Sequence, residues 1–246
     1  MLDRISLKQE ARGIVRTARV SAYRFTLLLL AVTTVIDLVS NFVALDEETV
    51  WEYSLTYGVD LSFLVLHNAF PAMVVWFVSI VCALLLQVLS AGQVIYHLGI
   101  RRGEEMPYGC MLDGFSFAGK VILLSIVTYI YIFLWSLLFI VPGIIAAYRY
   151  RFALYNLCEN PEMGVMEAIR ESKKQTYGFK GALFVLDLTF LGWKLLVSVS
   201  LGILGIWVNP YIMQTEMGYY QQIKALKSPT PPYEQDNTFH PDDRFV

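Results

Sequence analysis

Six ionisable residues sit inside otherwise apolar runs of this chain: Asp37, Arg149, Arg151, Asp187, Lys194 and Glu216. A charge held at the centre of a bilayer costs about 2.5–3.5 kcal/mol by insertion scales, so such groups turn toward protein or water. Asp187, Lys194, Ser198 and Gly205 share one face of a helix; Asn209, Glu216 and Tyr220 share a face of the next. Two readings are open. The stripes line a cavity or ion pathway, or they are buried ion pairs that lock a helical bundle, and the second is the expectation. Depth along the runs pairs Asp37 with Arg149 and Arg151 with Asp187. It also sets Lys194 and Glu216 near mid-depth on adjacent helices, as a third pair.

Motifs for other chemistry are missing from the sequence. There is no His-Glu-x-x-His for zinc, and Gly114-Phe-Ser-Phe-Ala118 lacks the second glycine of a nucleophile elbow. Glu47-Glu48 and Glu104-Glu105 lack the downstream arginine of a glutamate-type membrane protease. His67, His97 and His240 lie far apart, each read as an interface or surface residue, and Cys82, Cys110 and Cys158 show no metal-ligand spacing. No phosphate-binding glycine loop occurs. The expectation is a non-enzymatic protein with no catalytic residues, metal or cofactor.

The elements that must position these charges follow from composition. Of 246 residues, 56% are hydrophobic and only 16% charged, and the mean hydropathy is +0.52. A soluble domain carries roughly 25% charged residues, so the pattern is that of a multi-pass membrane protein. The net charge of −2 excludes a basic nucleic-acid binder. Runs of about 20 apolar residues predict an all-α, six-span transmembrane bundle, with spans over residues 22–45, 71–99, 121–141, 144–158, 182–207 and 209–225. The tight turn between the third and fourth spans is placed at Pro142-Gly143, because proline lacks the amide donor and glycine admits unusual dihedrals. Of the 19 Lys and Arg, all but Arg149, Arg151 and Lys194 then fall on one side, while Asp46, Glu47, Glu48, Glu52 and Asp60 crowd the first outer loop. Short cytoplasmic loops hold the basic excess, which sets both termini in the cytosol.

Two segments have the pattern of short amphipathic interfacial helices. In residues 1–20, Arg4, Lys8, Arg12, Arg16 and Arg19 form a basic arc beside an apolar arc of Leu7, Ala11, Ile14 and Ala18. It is read as a binding face for anionic lipid or, equally, as a signal that orients span one. Asn160 and Pro161 have the residue types of a helix start, leading into a helix with Val165, Ala168, Ile169, Ser172 and Thr176 on one face. Residues 227–246, with Pro231-Pro-Tyr233, read as a disordered cytosolic tail.

The stretch Val141-Pro-Gly-Ile144, Asn160-Pro161, Ala168-Ile-Arg-Glu-Ser172, Gly178-Phe-Lys180, the run ending in Gly192-Trp193, and Asn209-Pro210-Tyr211 resembles an uncharacterised bacterial family of multi-pass membrane proteins, "domain of unknown function nine-seven-five". Arg102-Gly-Glu-Glu105 and Asp113-Gly-Phe115 look similar too, extending the resemblance over most of the chain. A looser likeness reaches the membrane domain attached to some glycerophosphodiester phosphodiesterases, whose catalytic barrel is absent. The resemblance implies an all-helical fold in the plasma membrane and brings no catalytic residues. Two functions are carried forward: an envelope scaffold or accessory protein binding lipid or a partner, and a transporter component for an amphiphilic small molecule.

Overall fold

The computed structural model describes residues 4–44, 47–58 and 70–227. The regular elements among them are all helical: α1 (Arg4–Thr17), α2 (Ala22–Ala44), α3 (Glu47–Tyr57), α4 (Ala72–Arg101), a 3₁₀ segment (Tyr108–Phe117), α5 (Ala118–Leu138), α6 (Ile140–Tyr150), α7 (Ala153–Glu159), α8 (Val165–Thr176), α9 (Lys180–Val199) and α10 (Gly205–Lys227). Residues 59–69 of the acidic loop and the tail from 228 onward, with Pro231-Pro232-Tyr233, lie outside the described residues.

Among the described residues four helices, not six, are long and apolar enough to cross a membrane: α2, α4, α5 with its 3₁₀ lead-in, and α9. The expected fourth span divides into α6 and α7, of 11 and 7 residues, parted at Arg151-Phe152. The expected sixth becomes α10, which is long enough but too polar, and every residue from Gln214 to Tyr220 is buried by protein. The expected fifth, drawn to Trp207, stops at Val199. Leu201 and Gly202 take φ values of 51° and 87°, and left-handed backbone ends a helix however apolar its residues.

The reversal expected at Pro142-Gly143 falls three residues earlier. Phe139 is extended (φ −162°, ψ 156°), and α6 begins at Ile140, with Pro142 third in the helix where its missing N–H has no intrahelical role. The chain does fold back there. The Tyr131 and Tyr150 rings lie 5.7 Å apart, and a Cβ on Gly143 would run into Ser136.

Burial is concentrated at one end of the helices. It covers Ala22, Phe25, Thr26 and Leu29 at the start of α2, and runs from Val88 to Ile100 at the end of α4. It takes Val121 and Leu124 at the start of α5, and Leu183, Leu186 and Phe190 in the first half of α9. The 3₁₀ segment lies on α4 backbone to backbone: a Cβ on Gly92 would strike the Met111 carbonyl, and one on Gly114 the Val88 carbonyl. Both short amphipathic helices close this end, with their apolar faces on protein. Leu7, Ala11 and Val15 of α1 are buried, and Leu7 packs where Gly218 of α10 leaves room. Ala168, Ile169, Ser172 and Thr176 of α8 are buried in a helix that packs on α6 and α7. That helix begins at Val165 after Gly164, so Asn160-Pro161 ends α7 rather than capping α8.

Candidate functional site

Tyr148, Arg151 and Tyr155, spaced three and four apart where α6 gives way to α7, bring one guanidinium and two phenols against α9 and α10. Arg151 Nη1 and Nη2 donate to Asp187 Oδ2 at 2.5 Å and Oδ1 at 3.0 Å, and Nη2 donates again to Glu216 Oε1 at 2.6 Å. Tyr148 OH donates to Asp187 Oδ2 at 2.8 Å, and Tyr155 OH to Glu216 Oε2 at 3.0 Å. Lys194 Nζ stands 3.7 Å from Asp187 Oδ1. All four carboxylate oxygens are engaged, and two positive charges meet two negative ones.

The expected Lys194–Glu216 contact is therefore not made: Glu216 meets Arg151, and Lys194 meets Asp187 on its own helix. The planar guanidinium fork serves two carboxylates at once, which a pairwise depth argument does not anticipate. Asp37 is exposed on α2 and meets no cation among the described residues. Arg149 lies by α8, where its carbonyl accepts from Ser172 Oγ (3.0 Å) and Thr176 Oγ1 (3.2 Å). Sequence reasoning missed the two tyrosines, although their helical spacing from Arg151 was visible.

Ser172 explains its place in the motif. Its hydroxyl donates to the Arg149 carbonyl and accepts from the Phe152 N–H at 3.1 Å, serving backbone groups on both sides of the α6–α7 break. Pro161 offers its carbonyl to Lys120 Nζ at 2.6 Å, and the Asn160 N–H donates to the Asn156 carbonyl. Pro210 is buried within α10, while Gly192 and Trp193 lie midway along α9. His97, expected at the interface, is fully buried; Gln214 Nε2 approaches its Nδ1 at 3.0 Å and donates to its carbonyl at 2.8 Å. Cys82, Cys110 and Cys158 are free and buried.

A second ionic cluster ties the ends of α4, α7 and α10. Lys224 Nζ and Tyr220 OH each donate to Glu159 Oε2 at 2.5 Å, and Arg102 Nη2 donates to Oε1 at 3.0 Å. Burial works to raise the Glu159 carboxyl, but these donors outweigh it and hold it below the ordinary carboxylate range. Beside it, Arg101 donates to Glu10, Gln221 and the Gln214 carbonyl, tying α1 to α4 and α10.

The basic arc of α1 faces outward. Lys8 Nζ donates to Thr189 Oγ1 at 2.8 Å and lies 4.6 Å from the centre of the Phe190 ring; Arg12 lies over the Tyr211 ring at 5.2 Å. Burial, then the charges of Arg12 and Arg4, draw the Lys8 ammonium below the ordinary lysine value. A cleft of about 230 Å³ opens next to Arg12 and Arg16, walled by Tyr23, Trp193, Trp207 and Tyr211.

Fold and site together define, among the described residues, an all-helical protein with four helices fit to cross a membrane and a saturated ion cluster joining α6, α7, α9 and α10. Residues 138–227 match the family described as Protein of unknown function (DUF975). The matched stretch holds Arg149, Arg151, Asp187, Lys194 and Glu216 and the motif positions from Pro142 to Tyr211. The upstream likeness through Arg102–Glu105 and Asp113–Phe115 falls outside the match. Neither the curated proteins nor the solved structures contain a match to the chain, and the looser likeness to the phosphodiesterase membrane domain gains no support.

Proposed function

We propose that this chain is a multi-pass bacterial plasma-membrane protein, not an enzyme, that serves as an envelope scaffold or accessory by binding lipid or a partner. The observation that carries this reading is the saturation of the ion cluster. A transport path needs charged groups that exchange partners with water and cargo, and a catalytic site needs a group free to move a proton. Here Arg151 is held by two carboxylates, and each carboxylate oxygen is already engaged. Such a cluster ties helices together.

In this reading α2, α4, α5 and α9 face lipid. The α6–α7 pair and α10 return the chain behind them, short or polar because protein shields them. Both termini then lie in the cytosol with the basic segments. A cysteine placed at Glu48 is expected to label from outside in intact cells and one at Lys174 only after permeabilisation; external labelling at 174 overturns the topology. The role is tested by mass spectrometry of what copurifies after mild extraction, with a lipid or protein retained in constant ratio as the expected result. One observation favours the alternative, a transporter component for an amphiphile: the Lys194 side chain is 50% exposed. Flux of such a molecule in proteoliposomes that is lost in Lys194→Ala would replace the scaffold reading.

A further inference from the structure

The cleft beside α1 combines two features that the ion clusters do not. Its cations are unneutralised: among the described residues, neither Arg12 nor Arg16 meets a carboxylate, whereas Arg19 is paired with Glu105 and Arg101 with Glu10. Its walls are aromatic, with Trp193 and Trp207 about half exposed on α9 and α10 beside exposed Leu196 and Leu204. The two guanidinium groups are held beside these rings, Arg12 over Tyr211 at 5.2 Å and both on the wall of the cleft that Trp193 and Trp207 line.

Size narrows the occupant. Drug-sized ligands fill roughly 300–1,000 Å³, and this cleft of about 230 Å³ is smaller, with half-exposed Trp193 and Trp207 on its wall. It has room for a phosphate and glycerol whose acyl chains continue outside along exposed helix. The apolar side of α1 is already spent on α10, so the basic arc is not held to a membrane by its own hydrophobic face. What remains on offer is positive charge beside aromatic rings.

We propose that this cleft binds the headgroup of an anionic phospholipid, with Arg12 and Arg16 on its phosphate and Trp193, Trp207, Tyr23 and Tyr211 around its glycerol and upper chain. The inference rests on the membrane reading and deepens it by naming the lipid class and its site. A free phosphate would satisfy the arginines but leave the four rings without a role.

The test uses the full chain in nanodiscs, with Trp51, Trp76 and Trp135 replaced by Phe so that only Trp193 and Trp207 report. Bilayers contain brominated phosphatidylglycerol in unbrominated phosphatidylcholine, or brominated phosphatidylcholine at the same fraction among unbrominated phosphatidylglycerol. Stronger quenching by brominated phosphatidylglycerol is expected. Each lost cation should weaken the preference about fivefold, as an interfacial charge is worth about 1 kcal/mol. Arg12→Gln and Arg16→Gln are the variants, with Arg170→Gln on the exposed face of α8 as a control that keeps the preference. Equal quenching by the two lipids, or a preference unchanged in the double variant, overturns the site. So does its abolition by millimolar inorganic phosphate at constant ionic strength, which would mark an anion site rather than a lipid site. Absence of quenching by either lipid would instead count against the membrane reading itself.

Discussion

The two ends of the helices are built by different rules. Where α2 and α5 begin and α4 ends, the chain makes a protein interior: Tyr96, Tyr219 and Tyr220 have no exposed surface, Phe25 stacks on Tyr96 at 3.8 Å, and polar side chains are paired across helices. Toward the opposite ends the same helices present Leu38, Met73, Phe133 and Leu137 outward, and Val199 is 83% exposed. In water that surface would be a fault. In lipid, tails solvate it as well as another helix would, so nothing drives the apolar ends together. The difference teaches that the polar and small residues, not the apolar majority, decide where these helices meet.

That contrast can be broken from the packed end first. Arg151→Met leaves Asp187 and Glu216 facing one another without their shared cation, and loss of one partner from a buried ion cluster costs about 3–5 kcal/mol. Thermal unfolding in detergent is expected to show this, with partial recovery when Glu216→Gln is added. Lys194→Ala and Glu216→Ala should couple less strongly than Arg151→Met and Glu216→Gln, since the two do not touch and meet only through Asp187 and Arg151. Gly92→Ala comes next, at about 1–3 kcal/mol, because the added methyl must push the 3₁₀ segment off α4.

The pH response is smaller. The Glu159 carboxyl is depressed in the folded chain, so its contribution is complete above the ordinary carboxylate value near 4.5 and is lost as pH falls through the lower folded value. Melting temperature followed from pH 7 down to 3 should fall more steeply in the native chain than in Glu159→Gln. Smallest of all, Leu137→Ser at an apolar end should change stability by no more than about 0.5 kcal/mol. A loss of several kcal/mol there would mean that a partner, not lipid, covers that surface.

The sequence revealed the apolar helices and the amphipathic ones well, because hydropathy and a 3.6-residue period are local properties. It misjudged the ends set by conformation: Phe139 and Leu201 are apolar residues in non-helical backbone, and no hydropathy profile distinguishes them from their neighbours. It also took α10 as a span because its length and central apolar residues suit one, whereas Gln214, Thr215 and Glu216 are buried by protein. The six charges were legible as a set, and depth paired Arg151 with Asp187 as the structure does, but the other partners were not legible. Depth orders residues along an axis, and the contact that forms depends on which helix faces which, information held jointly by α6, α9 and α10. The apolar faces of α1 and α8 were read correctly from spacing; that they cover protein rather than lipid depends on partners such as Gly218.

The ion cluster also has an order in time. Glu216 follows Arg151 by 65 residues, so a chain emerging from the ribosome holds Arg151, Asp187 and Lys194 with one net positive charge until α10 is made. Within α9 the pair Asp187 and Lys194 is already neutral, which lowers the cost of admitting that helix to the bilayer. Arg151 is the charge left over. Glu216 supplies the closing negative charge only when α10 arrives, so synthesis of that helix is the event that turns a set of separate segments into one joined body.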